Sequence, residues 1–104
     1  MERSELLRRV KSILQDAFGP RLRGVILYGS EARGTAEPDS DIDFLVLLEG
    51  PVDYWAEVER CIHVLYPLVL EIGRPIDATP ADVHDYEVDR WPLYPEVKRN
   101  GVPA

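Results

Sequence analysis

The sequence predicts a mixed α/β fold (α+β), in which helices pack against a small mixed β-sheet. Three observations predict it: an amphipathic helical pattern at the N-terminus, two short apolar runs after it, and a second amphipathic pattern after those runs. The 104 residues are enough for one hydrophobic core. We therefore expect one domain over residues 1–104.

The first helix is predicted to end at Phe18. Gly19 follows it, and glycine suits a helix C-terminus. Residues 25–28 then form a bulky apolar run between two glycines, which favours a buried strand. The helix is predicted from apolar residues that recur three and four positions apart: Leu6, Leu7, Val10, Ile13, Leu14, Ala17 and Phe18.

Residues 41–48 predict the second strand, because they begin with alternating polarity and end as a continuous apolar run. Asp53 is expected to cap a second helix that ends near Tyr66, since Pro67 should break or kink it. A continued helix and a strand both remain open for residues 68–72. The apolar positions of the second helix are Trp55, Val58, Cys61, Ile62 and Leu65.

A short third strand is predicted over residues 74–79, at an edge of the sheet because Pro75 lies within it and Pro80 follows it. For residues 81–104 we predict a short helix and a tail. The acidic and aromatic stretch of residues 82–94 is expected to contribute to a surface completed by another protein.

Composition limits the classes of function. Cys61 is the only cysteine and cannot form an internal disulfide, and no apolar run approaches the roughly 20 residues that span a bilayer. We expect a cytoplasmic protein without a membrane contact. The formal net charge of −7 disfavours nucleic acid as a tightly bound ligand, because such binding depends on neutralising phosphates.

Charge is distributed unevenly along the chain. Residues 1–34 are net positive, whereas residues 35–104 are strongly negative. Either the basic N-terminal helix pairs with acidic surfaces of its own domain, or one of these faces binds a partner.

Two groups of residues point to chemistry. Asp41 and Asp43 are two positions apart at the start of a strand, so their carboxylates share one face and together suit Mg²⁺. Gly29 and Ser30 follow the preceding strand, where a backbone turn can approach an anion, and Arg33 lies one helical turn further on. A phosphate site beside a metal site is typical of nucleoside triphosphate binding.

These features form one pattern: an apolar strand, Gly-Ser, ten intervening residues, then Asp-x-Asp at the start of a second apolar strand. The pattern resembles the minimal nucleotidyltransferase family of the DNA polymerase β superfamily. The order of the predicted elements agrees with that family over residues 2–79. Its local form, G-S-x-A-R-G followed by S-D-I-D, is matched by Gly29, Ser30, Ala32, Arg33, Gly34, Ser40, Asp41, Ile42 and Asp43.

The resemblance implies a polymerase-β-like fold, with residues 1–104 as a single nucleotidyltransferase domain. It also implies Mg²⁺-dependent transfer of a nucleoside monophosphate, AMP from ATP in our hypothesis. Two Mg²⁺ ions would be held by Asp41, Asp43 and a third carboxylate on a later strand. For this third position we choose Asp77, which lies in the later predicted strand, with Glu71 as the alternative.

In this hypothesis an acceptor hydroxyl attacks the α-phosphate of the nucleotide and pyrophosphate departs. Asp77 would also help to deprotonate the acceptor. Ser30, Arg33 and the Gly29 backbone would hold the β and γ phosphates.

The resemblance further implies a helical HEPN-domain partner in a toxin–antitoxin module, with this chain as the antitoxin that modifies its partner. The alternative is a non-catalytic binding module that neutralises its partner by contact and whose nucleotide site is vestigial. The sequence leaves open the base of the nucleotide, the acceptor, activity in isolation and the number of subunits; a homo-oligomer is compatible with it.

Overall fold

The computed structural model describes all 104 residues, which form five α-helices, one short 3₁₀ helix (Gly19–Arg21) and four strands. The α-helices and strands are labelled below. In chain order these are α1 (Arg3–Phe18), β1 (Leu22–Tyr28), α2 (Gly29–Arg33), β2 (Ile42–Leu48), α3 (Tyr54–Ile72), β3 (Ile76–Asp82), α4 (Val83–Glu87), α5 (Leu93–Asn100) and β4 (Val102–Pro103). The strand order in the sheet is β3-β2-β1-β4. Strand β1 is antiparallel to β2 and β4, and β2 is parallel to β3. The predicted mixed α/β fold is confirmed.

The sheet has a core on each face, because successive side chains of a strand point to opposite sides. On the first face, Val25, Phe44 and Val46 pack against α1 and α3. On the second face, Leu45 and Leu47 pack against α4 and α5. Helices α4 and α5 therefore cover the second face near Leu47, at the C-terminal end of β2. Asp43, near the N-terminal end of β2, is not part of this core.

Helix α3 continues through Pro67 to Ile72, so the predicted end near Tyr66 was wrong and residues 68–72 are helical. Pro67 lies on the exposed side of the helix, where water can reach the His63 carbonyl that loses its hydrogen-bond donor. The helix ends instead at Gly73, which adopts the left-handed conformation with a φ of 72°.

The apolar pattern of α3 faces two ways. Cys61, Leu65 and Leu68 are buried, as expected for the inner side. Trp55 and Ile62, which the sequence also assigned to the apolar side, are 76% and 60% exposed. Each set has helical spacing within itself, and the two sets lie about 100° apart around the helix. Spacing alone therefore does not show which set faces the core.

The C-terminal region is more ordered than the predicted short helix and tail. It contains α4, α5 and the short strand β4, which pairs with β1. Val83 of α4 and Tyr94 of α5 are buried, whereas residues 87–92 between them are exposed, so the stretch 82–94 keeps a free surface and its completion by another protein stays a prediction. Strand β3 occupies the other edge of the sheet, as predicted from its prolines.

Ion pairs join the basic N-terminal segment to acidic residues later in the chain. Three pairs link distant segments: Arg9 with Glu71, Arg21 with Glu57, and Arg23 with Glu49. The uneven charge is thus balanced in part within the domain. None of the helices combines the length and the apolar character that a bilayer-spanning segment requires.

Candidate active site

A row of three polar side chains crosses the open end of the second face. Asp43 of β2 is the register partner of Tyr28 on β1 and of Asp77 on β3. Residues that are partners across neighbouring strands point to the same side of a sheet. The register therefore brings the predicted third carboxylate beside the carboxylate of the Asp-x-Asp pair.

Asp43 has a raised pKa. Partial burial is the main cause, and the negative charges of Asp77 and Asp41 raise the pKa further. Arg33 acts in the opposite direction, so its guanidinium lies within electrostatic range of Asp43. A carboxylate that loses hydration and has two anionic neighbours is at a place where a bound cation would be stabilised.

Gly29 lies against Asp43. It adopts a φ of 74°, and a Cβ atom built on it would lie 2.6 Å from Oδ2 of Asp43. A glycine is therefore required here for two reasons, the left-handed backbone and the close approach of the carboxylate. The short helix α2 begins at this residue, and no side chain caps its N-terminus. Ser30 is the second residue of α2, so the Gly-Ser turn and the carboxylates meet at one end of the sheet.

Tyr28 completes the row at its β1 end. Burial raises the pKa of Tyr28, as do the charges of Asp43 and Asp77, whereas the nearby Thr79 side chain lowers it. Thr79 is on β3, so the Tyr28 side chain reaches across β2. Sequence reasoning did not single out Thr79, because its proximity to Tyr28 depends on the pairing of three strands.

Glu71, the alternative third carboxylate, lies elsewhere. It is on α3 and forms a bidentate ion pair with Arg9 of α1, which lowers its pKa. Nowhere in the chain do three or more His, Cys, Asp or Glu side chains converge into a ready metal cage. The three-carboxylate set of Asp41, Asp43 and Asp77 therefore remains a prediction.

Two further residues that adjoin the predicted site segments in sequence, Arg74 and Glu31, were missed. Arg74 lies just before β3 and forms a bidentate ion pair with Glu31 of α2, with N–O distances of 3.2 and 3.0 Å. Its guanidinium also donates to the backbone oxygen of Ser40. Glu31 and Arg74 are 43 positions apart, and the sequence signal for their contact is only that each adjoins a predicted site segment. The largest groove of the surface lies away from this site, along α3 near Ile62.

Proteins of known sequence are similar to this chain. The family described as "Nucleotidyltransferase domain" matches residues 7–101. A Methanocaldococcus jannaschii protein named "putative protein adenylyltransferase" is 31% identical over 65 residues. The matched region is 62% of this chain and 63% of that protein, so the chain covers less than the full length of this relative.

Solved structures share the fold. A toxin–antitoxin crystal structure with AMP-PNP aligns with a TM-score of 0.63 and 23% identity, over 92% of this chain and 69% of that chain. Two mutant structures of the toxin–antitoxin MntA-HpeT align with TM-scores of 0.62, at 23% and 21% identity. They cover 93% and 92% of this chain and 69% of each neighbour. At these identities the likeness describes the fold.

Proposed function

The chain belongs to the nucleotidyltransferase domain family, and from this premise we propose that it transfers an adenylyl group from ATP to a hydroxyl of a partner protein. The observation that carries the proposal is the register of Asp43 with Asp77, next to the turn at Gly29. Two carboxylates and a tight glycine turn on one sheet face are what a triphosphate with its metal ions requires.

We assign Mg²⁺ binding to Asp41, Asp43 and Asp77, which would hold two ions. The donor set fits this cation, because Mg²⁺ prefers carboxylate oxygens and Asp43 lies between two anionic neighbours. Mg²⁺ usually takes its remaining ligands from water and substrate phosphates, so the protein need not supply a closed cage. Bound Mg²⁺ would supply neutralisation of the charge on the reacting phosphates.

The triphosphate would lie along the start of α2. The backbone at Gly29 and the hydroxyl of Ser30 would contact the β and γ phosphates, and the exposed Arg33 would turn its guanidinium towards them. The oxygen of the acceptor hydroxyl attacks the α-phosphorus, and the bond from that phosphorus to the pyrophosphate oxygen breaks. The hydroxyl proton passes to the carboxylate of Asp77, which is exposed and beside Asp43.

The choice of ATP and of a protein acceptor is supported by the relatives. The archaeal relative carries a protein adenylyltransferase name, and the structural neighbours are toxin–antitoxin proteins, one of them with AMP-PNP. We propose that residues 1–104 act as one nucleotidyltransferase domain and as the antitoxin of such a pair. A helical HEPN-domain protein is the proposed partner.

Nucleotide binding is the first test. Isothermal titration calorimetry with Mg²⁺ and ATP should give binding by the unaltered protein and none by Asp41→Asn/Asp43→Asn. Asp39→Asn is the matched control, because Asp39 is an exposed carboxylate in the same loop and outside the row. Equal heats for the double variant and the control, or equal heats when EDTA replaces Mg²⁺, would contradict the proposed site.

Group transfer is the second test. The protein encoded beside this chain is co-expressed with it, purified and examined by intact-mass spectrometry. Transfer predicts a gain of one adenylyl group on a partner hydroxyl, which we expect to be a tyrosine, and no gain with Asp41→Asn/Asp43→Asn. Neutralisation by contact alone predicts a stable complex, an unchanged mass and full neutralisation by the double variant. The absence of both a complex and a mass change would overturn both functions.

A further inference from the structure

Arg74 joins three segments of the chain through one side chain. Its Nε and Nη2 atoms donate to the backbone oxygen of Ser40 at 3.2 and 3.0 Å. Its Nη1 and Nη2 atoms donate to the two carboxylate oxygens of Glu31 at 3.2 and 3.0 Å. The side chains of Arg74 and Glu31 are only 20% and 22% exposed. We refer to Arg74, Glu31 and Ser40 as the Arg74 network.

Each member of this network adjoins one part of the proposed site. Glu31 directly follows Ser30 in α2, and Ser40 directly precedes Asp41. Arg74 lies three residues before Asp77. A backbone hydrogen bond of 2.9 Å from Ile42 to Pro75 joins two of the same segments. The network therefore spans the proposed phosphate site and all three proposed metal ligands without including any of them.

We propose that Arg74 is a positioning residue, which sets the separation between the Gly29-Ser30 turn and the carboxylates of Asp41, Asp43 and Asp77. This inference rests on the proposed function. The charge of Arg74 is already compensated by the Glu31 carboxylate, so it is not available as a phosphate ligand. Its geometry requires an arginine, because only a guanidinium offers enough donors in one plane to contact both the Glu31 carboxylate and the Ser40 carbonyl.

Positioning of this kind has a measurable consequence. A triphosphate with bound Mg²⁺ contacts the turn and the carboxylates at once, so its affinity depends on their separation. Metal-free nucleotide contacts chiefly the turn. We therefore measure the Mg²⁺ gain, defined as the affinity for AMP-PNP with Mg²⁺ divided by the affinity with EDTA.

The experiment compares Arg74→Lys, Glu31→Gln and a control by calorimetry. Lysine keeps the charge but cannot reproduce the bidentate pair with Glu31 together with the two contacts to the Ser40 oxygen. Glutamine removes the ion pair from the other side. We expect each variant to lower the Mg²⁺ gain by about tenfold or more while the affinity in EDTA changes by less than about threefold. Arg9→Lys is the matched control, since Arg9 forms a bidentate pair of the same kind with Glu71, between α1 and α3, and it should leave the gain unchanged.

The outcomes separate the two proposals. If the unaltered protein has no Mg²⁺ gain, the proposed function fails. If it has a gain that Arg74→Lys and Glu31→Gln retain, or lose no more than Arg9→Lys does, the positioning role is wrong while the proposed function stands. Circular dichroism shows whether the variants are folded. Unfolding of both would make the network a requirement of the fold and would also overturn the positioning role. Faster hydrogen exchange over residues 34–41 in the folded variants would support it.

Discussion

Asp77 of β3 lies beside Asp43 of β2 as its register partner in the only parallel strand pair of the sheet. Thirty-four positions of chain separate the two residues, and the long helix α3 connects their strands. A parallel connection of this kind needs a crossover, and the crossover returns β3 in the direction that places its first residues beside the first residues of β2. The helix that builds the first core thus also brings the carboxylates together.

The Asp43→Asn variant should be more stable than the unaltered protein when Mg²⁺ is absent. Burial and the charges of Asp77 and Asp41 make the ionised form of Asp43 unfavourable, and asparagine removes that charge at constant volume. We expect a gain of about 0.2–1 kcal/mol in the free energy of unfolding at neutral pH, the range of cross-strand pair effects. Urea unfolding in EDTA measures it. Asp39→Asn should change little, and a loss of stability in Asp43→Asn would contradict the electrostatic account.

Substitution of Gly29 by alanine should cost both stability and nucleotide binding. The φ of 74° disfavours any L-residue by about 1–2 kcal/mol, and the new Cβ would lie 2.6 Å from the Asp43 carboxylate. Gly73→Ala is the control, because Gly73 has a φ of 72° and nothing within 4 Å of the added atom. Chemical denaturation should show a larger loss for Gly29→Ala than for Gly73→Ala. Equal losses, with Mg²⁺-dependent AMP-PNP binding intact in both, would show that the Asp43 contact is unimportant.

Local patterns predicted the parts of the fold that local interactions determine. The spacing of Leu6, Val10 and Leu14 indicated α1, and Gly29-Ser30 followed by Asp41 and Asp43 indicated the family that the match over residues 7–101 confirms. These signals lie within single elements or in one strand–loop–strand segment, where side-chain periodicity and turn chemistry decide the conformation.

The remaining features depend on contacts between distant segments. Strand β4 exists because residues near Val102 reach β1, and α3 passes Pro67 because its inner side is held by the core. The pairing of Arg74 with Glu31 has the same character, since it joins residues that are remote in sequence. A propensity rule contains no term for such contacts, so tertiary packing overrode the predicted helix end at Pro67.

Cys61 should be protected from thiol reagents in the folded protein. Its side chain is fully buried, and burial together with the Glu57 charge raises its pKa to about 12. Only the thiolate reacts, so both access and ionisation oppose modification. Ellman's reagent at mildly alkaline pH should react only slowly in native buffer and at once in concentrated urea, which serves as the positive control. Rapid reaction of the native protein would contradict the position of Cys61 in the first core.

His84 and Glu49 should make stability depend on pH in a defined window. The hydrogen bond between Nε2 of His84 and Oε1 of Glu49, 2.9 Å long, is the main cause of the raised pKa of His84 and of the lowered pKa of Glu49. The charges of Glu49, Glu87 and Asp82 raise the pKa of His84 further. The contribution of His84 to the free energy of unfolding is complete below the ordinary histidine pKa and is lost as pH rises through the raised pKa of the folded state. The contribution of Glu49 is complete above the ordinary glutamate pKa and is lost as pH falls through its lowered pKa. The pair therefore stabilises the fold most between the ordinary pKa values of 4.5 for glutamate and 6.5 for histidine.

His84→Gln keeps a side-chain N–H donor at this position, now in an amide, without the titrating charge. Urea unfolding of both proteins should show a difference at about pH 5.5 that disappears by about pH 8.5, and NMR titration should show the His84 pKa falling in Glu49→Gln. A stability difference that is constant across this range would show that the ion pair does not contribute.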